Sequence, residues 1–151
     1  MFASFSIAPF LHIWIAIAIV IFPLQIFVSA PYGRHIKSTW GPMLSNQLGW
    51  VLMESWALIT FWLVYVEYFS ANYYALLFAG FYSLHYIHRS FIFPLRTKTK
   101  GKEMPFLIAF FAFLFNSINA GCLAYYLSVR SEYPLNYFLQ WNFIIGIFLF
   151  I

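Results

Sequence analysis

The sequence predicts an all-α integral membrane protein with about five transmembrane helices, organised as a single multi-pass domain over residues 1–151. Three observations carry this reading. First, 64% of the residues are hydrophobic and only 8% are charged, where a soluble domain is about one quarter charged. Second, apolar runs long enough to cross a hydrocarbon core recur along the chain. Third, the basic residues gather in two connections between those runs. The eight Lys and Arg and four Glu, with no Asp, cannot clothe a water-facing surface. The net charge of +4 therefore speaks to membrane orientation and not to nucleic acid. Aromatic residues make up 25% of the chain, which suits interfacial belts and a flat apolar pocket. A single cysteine, Cys122, excludes an internal disulfide and a cysteine-built metal site.

The first apolar segment covers residues 7–28. Its end resembles a small-x-small cleavage site, but no Lys or Arg precedes it and the apolar run exceeds that of a signal peptide. Pro23 lies inside it, and membrane helices tolerate such kinks. The second and third segments, residues 47–69 and 71–93, are joined almost directly at Ser70, which predicts an antiparallel helical hairpin. The fourth covers residues 105–129 and the fifth begins near Tyr137. That last segment stops at Ile151 while still apolar. Its helix would reach ~22 Å, short of a ~30 Å hydrocarbon core. This predicts the front part of a longer protein, incomplete at its carboxyl terminus.

Orientation follows from basic residues. Arg34 and Lys37 follow the first segment, and Arg96, Lys98, Lys100 and Lys102 follow the third. These connections share one side, and only Arg130 lies on the other. The positive-inside rule then turns both basic loops to the cytoplasm and the amino terminus away from it. The membrane is the endoplasmic reticulum in a eukaryote or the inner membrane in a bacterium. The basic loops also suit contact with anionic membrane lipid.

Two segments carry ionisable groups at membrane depth. Glu54 lies in the second, and His85, Tyr86, His88 and Arg89 lie in the third. Placing a charged side chain there costs about 2.5 kcal/mol or more, which makes each a functional candidate. Helix rise puts both Glu54 and Tyr86 ~10 Å inside the cytoplasmic edge. On antiparallel neighbours they can face one cavity, between the second, third and fourth segments. Helical spacing puts His85, His88 and Arg89 on one face. Snorkelling to headgroups is the alternative for Arg89, and packing for the two histidines. A metal site from two His and one Glu is a weak alternative, since no H-E-x-x-H-type spacing appears.

A carboxyl group in a low-dielectric site favours its neutral form. A neutral acid and a phenol are then two donors converging on one point. Such a pair polarises a carbonyl oxygen and stabilises a developing enolate. That suits hydride addition to an enone, with the hydride carried by a cofactor. Depth and polarity alone equally allow a proton relay in a transporter.

Five short blocks in order carry a family resemblance. Ala30-Pro31-Tyr32-Gly33-Arg34-His35 with Trp40-Gly41-Pro42 resembles the first cytoplasmic loop of steroid 5α-reductases (3-oxo-5α-steroid 4-dehydrogenases). Trp50-Val51-Leu52-Met53-Glu54-Ser55 resembles their W-x-x-x-E segment in its plant brassinosteroid form. Leu84-His85-Tyr86-Ile87-His88-Arg89-Ser90 resembles the H-Y-x-H-R-T block, and Phe93-Pro94-Leu95-Arg96 the run after it. Asn116 and Asn119 resemble a plant F-N-x-x-N. The resemblance runs from about Pro31 to the end and covers the family's amino-terminal half. It implies the front of a seven-helix bundle that reduces the Δ4 double bond of a 3-oxo-steroid, or a related lipid enone, with NADPH. It implies Glu54 and Tyr86 as the catalytic pair holding the 3-keto oxygen, and Arg89, Asn119, Tyr32 and Trp50 as cofactor-binding residues.

The chain departs from that pattern in places. The family's N-I-x-S-D and P-N-Y-x-G-E segments, which supply most of the NADPH pocket, do not occur. Asn142 stands where an Arg is usual, and Ala120 follows Asn119 where Gly is usual. The expectation is that this chain supplies the substrate-polarising half and that alone it reduces no enone, a missing carboxyl-terminal half or a partner chain holding the cofactor. The alternative is a small non-enzymatic membrane protein that binds lipid or assembles with partners.

Overall fold

The computed structural model describes residues 7–28, 40–98, 101–130 and 132–150. Helix α1 spans Ile7–Phe27 with Pro23 inside it, and its side chains are exposed along almost its whole length. Trp14 attaches it to the rest. The indole Nε1 donates to Asn119 Oδ1 at 3.1 Å, and the ring lies 5.8 Å from that of Phe115.

Helix α2 spans Asn46–Glu67 and starts at Ser45, whose hydroxyl accepts from the Leu48 amide. Helix α3 spans Tyr73–Ile87 and starts at Asn72, whose Oδ1 accepts from the amides of Tyr74 and Ala75. Each cap satisfies amides that the first helical turn leaves without partners. The connection between them is tied by the Tyr65 hydroxyl, which donates to the Ser70 carbonyl at 3.2 Å. The predicted hairpin is therefore present.

The third segment does not stay α-helical. After Ile87 a π-helical turn, His88–Ile92, leads into the short helix α4, Phe93–Arg96. The cause is Pro94. It has no amide hydrogen for the carbonyl one turn back, and its ring crowds that carbonyl in a regular helix. Helix α5 spans Phe106–Tyr125 and also ends in a π-helical turn, Tyr126–Arg130. A 3-10 turn, Tyr137–Leu139, precedes helix α6, Trp141–Phe150. Three helices among the described residues are long and apolar enough to cross a membrane: Ala8–Phe27, Asn46–Glu67 and Phe106–Val129. The chain is thus a helical membrane protein. The third predicted segment is divided by its π turn, and the fifth yields a ten-residue apolar helix.

The core lies where α2, α3 and α5 meet. Ala57, Phe61 and Tyr65 of α2 are buried against Ala75 and Ala79 of α3 and Ala120 and Ala124 of α5. Small side chains let the backbones approach, and in lipid it is this close packing that favours helix association.

The structure adds one element that an all-α fold omits. Strand β1, Met43–Ser45, pairs antiparallel with strand β2, Glu103–Pro105, with Leu44 opposite Met104. The Asn46 amide donates to the Lys102 carbonyl at 2.9 Å and the Phe106 amide to the Pro42 carbonyl at 2.8 Å, which extends the clip at both ends. The described ends of the two basic connections, at residues 42–45 and 102–105, are thus held together, while Arg34, Lys37 and Lys100 lie outside the described residues. Met104 is fully buried under this clip. A Cβ on Gly49 would lie 2.4 Å from its sulfur, so glycine at this position is what admits the methionine.

Candidate functional site

Glu54 is buried on the face of α2 that meets the end of α3. Its Oε1 accepts a 2.7 Å bond from Arg89 Nη2. The Glu54 side chain is 9% exposed and the Arg89 side chain 41% exposed, so this pair runs from the protein interior to its surface. The Arg89 guanidinium also lies 5.4 Å from the centre of the Trp50 ring, a cation–π distance. Trp50 in turn packs edge-on against Phe93 at 5.3 Å. One charged group therefore has a carboxylate partner and an aromatic partner, both from α2, one turn apart.

The π turn sets this direction. Regular helical spacing puts His85, His88 and Arg89 together. In the structure Arg89 turns to α2, while His85 and His88 are exposed, with His85 lying 5.8 Å from the Phe150 ring of α6. The extra residue in the π turn rotates the helix beyond it relative to the helix before it, a device common at functional sites.

Tyr86 lies close enough to Glu54 and Arg89 for both charges to act on its phenol. Its ring packs against Tyr82 at 4.4 Å, tilted by 32°, and Tyr82 stacks on Phe61 of α2 at 4.2 Å. This aromatic column fixes the ring plane of Tyr86. From sequence, Glu54 is expected to be a neutral donor. In the structure its Oε1 is instead the acceptor of the Arg89 hydrogen bond.

Four of the residues singled out from sequence thus come together: Glu54, Tyr86, Arg89 and Trp50. Asn119 does not join them, because its Oδ1 faces α1 and accepts from Trp14. Tyr32 lies outside the described residues. Asn116, one turn before Asn119, is the residue nearer the site. It is buried, and its Nδ2 donates to the Met53 carbonyl at 2.7 Å, on the residue that precedes Glu54. Asn116 belongs to the same Asn pair that the sequence singles out.

A groove of about 420 Å³ lies between α3, the end of α5 and α6. Its walls are mostly aromatic, with Phe78, Phe81, Tyr133, Tyr137 and Phe143 among them, and Tyr82 on the side of the Tyr86 column. This places the described groove one helix away from the cavity expected between the second, third and fourth segments. Its volume is in the range of small-molecule sites.

No protein-family model matches the chain. Among curated proteins it is similar to the steroid 5-alpha-reductase DET2 of Arabidopsis thaliana, with 36% identity over 135 residues, 83% of this chain and 50% of that protein. The protein of the same name from Gossypium hirsutum is 33% identical over the same shares. The 3-oxo-5-alpha-steroid 4-dehydrogenase 2 of Mus musculus is 31% identical over 126 residues, 81% of this chain and 49% of that protein. The chain spans about half the length of the curated relatives it matches. Over that half it is similar to steroid 5α-reductases of plants and animals.

Proposed function

We propose that this chain takes part in the reduction of the Δ4 double bond of a 3-oxo-steroid or related lipid enone, and that it supplies the part of the site that holds and polarises the carbonyl. The observation that carries the reading is the convergence of Glu54, Arg89, Trp50 and Tyr86 at one depth, in a chain similar to steroid 5-alpha-reductases. In such a reaction a hydride adds at C5, a proton at C4, and the 3-oxo group is retained. NADPH, when bound, would supply the hydride. Arg89, half-exposed, and the exposed Arg96, Lys98 and Lys102 beyond it fit the phosphates of that cofactor, with Trp50 beside them. The cofactor's remaining contacts lie outside this chain, which has no dinucleotide fingerprint. The Tyr86 phenol donates to the carbonyl oxygen. Glu54 adds a second donor once it takes a proton and Arg89 turns to an anion at the membrane edge. Both bonds strengthen as the oxygen gains enolate charge.

The test uses purified chain in nanodiscs. A Δ4-3-ketosteroid is expected to bind saturably, and Glu54→Leu to weaken binding at least about tenfold, as loss of a charged or catalytic hydrogen bond does. The 3-deoxy analogue is expected to bind both proteins alike. Absence of saturable binding would sink the reading. With NADPH added, the chain alone is expected to give no turnover. Turnover abolished by Glu54→Leu would instead show that these residues form a complete enzyme.

A further inference from the structure

Tyr82 holds a hydroxyl that the packing does not explain. Its ring is fixed between Phe61 and Tyr86, at 4.2 and 4.4 Å, on one wall of the aromatic groove. Its oxygen is buried and makes no hydrogen bond. Phe would fill this space with the same ring contacts and without that buried polar atom, which costs stability when it has no partner. The hydroxyl is nevertheless close to polar groups, since it lies within electrostatic reach of the Tyr86 hydroxyl and the Glu54 carboxylate. Tyr82 and Tyr86 are one helical turn apart, with ring centroids 4.4 Å apart and rings tilted by 32°, which leaves their hydroxyls near enough to interact.

We propose that Tyr82 is a positioning residue for Tyr86: its hydroxyl donates to the Tyr86 oxygen and strengthens Tyr86 as a donor toward a carbonyl. The physical basis is that hydrogen bonds in a chain polarise one another, more so where water is scarce. A phenol that accepts one bond gives a stronger one. No proton leaves either residue, so the chain Tyr82, Tyr86, carbonyl works by orientation and polarisation. The effect of Tyr82 on a ligand rests on the enone reading. Its coupling to Tyr86 does not.

The experiment separates these two claims. The protein is labelled with tyrosine carrying 13C at Cζ and placed in nanodiscs, and the Tyr86 signal is assigned by its loss in Tyr86→Phe. Tyr82→Phe is expected to move that signal. It is also expected to weaken binding of a Δ4-3-ketosteroid by about threefold to tenfold, and to have no further effect in the Tyr86→Phe background. An unmoved Tyr86 signal, or an equal loss of affinity in both backgrounds, would overturn the proposal. If the Tyr86 signal moves and no protein binds the ketosteroid, the coupling stands and the enone reading falls.

Discussion

Asn116 of α5 holds the backbone of α2 at the residue before Glu54. Its Nδ2 lies 2.7 Å from the Met53 carbonyl oxygen, which already accepts within its own helix and so uses its second lone pair. A buried amide crossing between helices fixes their register in lipid, where apolar side chains slide past one another with little preference. The carboxylate therefore sits on a backbone held from outside its own helix.

Asn116→Leu removes that bond and leaves Met53 its helical partner. The expected loss is about 0.5–1.5 kcal/mol, read as a lower unfolding midpoint in detergent. Steroid affinity should fall with it, because the backbone under Glu54 is released. A variant as stable as the parent would show that the bond contributes nothing to register.

The Glu54–Arg89 pair is measurable by a double-mutant cycle with Glu54→Gln and Arg89→Gln. A fully buried pair loses about 3–5 kcal/mol when one partner is removed, and an exposed one about 0.2–1 kcal/mol. Arg89 is 41% exposed, so a coupling of about 1–2 kcal/mol is expected. A coupling indistinguishable from zero would mean that water or headgroups replace either partner fully.

Trp50→Leu keeps an apolar side chain beside Arg89 and removes the ring face. The cation–π contact at 5.4 Å predicts a loss of about 0.5–1 kcal/mol. This loss should vanish in the Arg89→Gln background. Equal losses in both backgrounds would assign the effect to the Trp50–Phe93 contact instead.

Gly49→Ala places a methyl group 2.4 Å from the Met104 sulfur. Met104 is fully buried, so its side chain has little room to yield, and overpacking of this kind costs about 1–3 kcal/mol. Met104→Ala should restore part of the stability lost in Gly49→Ala. Double-variant stability equal to the sum of the two losses would show that the two positions do not share space.

Much of the fold was legible because hydropathy and charge are strong signals in a membrane chain. The helical segments and the hairpin at Ser70 follow from them. The meeting of Glu54 with the third segment was legible from depth alone, because helix rise is constant. The features that were not legible depended on local backbone geometry. Pro94 announces a disturbance, but not that a π turn would turn Arg89 to Glu54 and leave His88 exposed. The clip between Met43–Ser45 and Glu103–Pro105 joins two three-residue stretches that carry no strand pattern of their own. Asn116 and Asn119 look alike in sequence, and only the packing of α1 against α5 tells them apart.

The clip also sets an order of events during synthesis. About 60 residues separate its two strands, which at ~5–20 residues per second is roughly 3–12 s of translation. Over that interval α2 and α3 are in the membrane without α5. Their hairpin already contains both Glu54 and Arg89, so the charge of each is neutralised before the later helix exists. Ala57 and Phe61, by contrast, are covered only on the α3 side until Ala120 and Ala124 of α5 arrive, and the space above Gly49 waits for Met104. A slowed ribosome over residues 94–106 lengthens this wait. Through that wait the nascent hairpin has its charges paired and part of its packing face open.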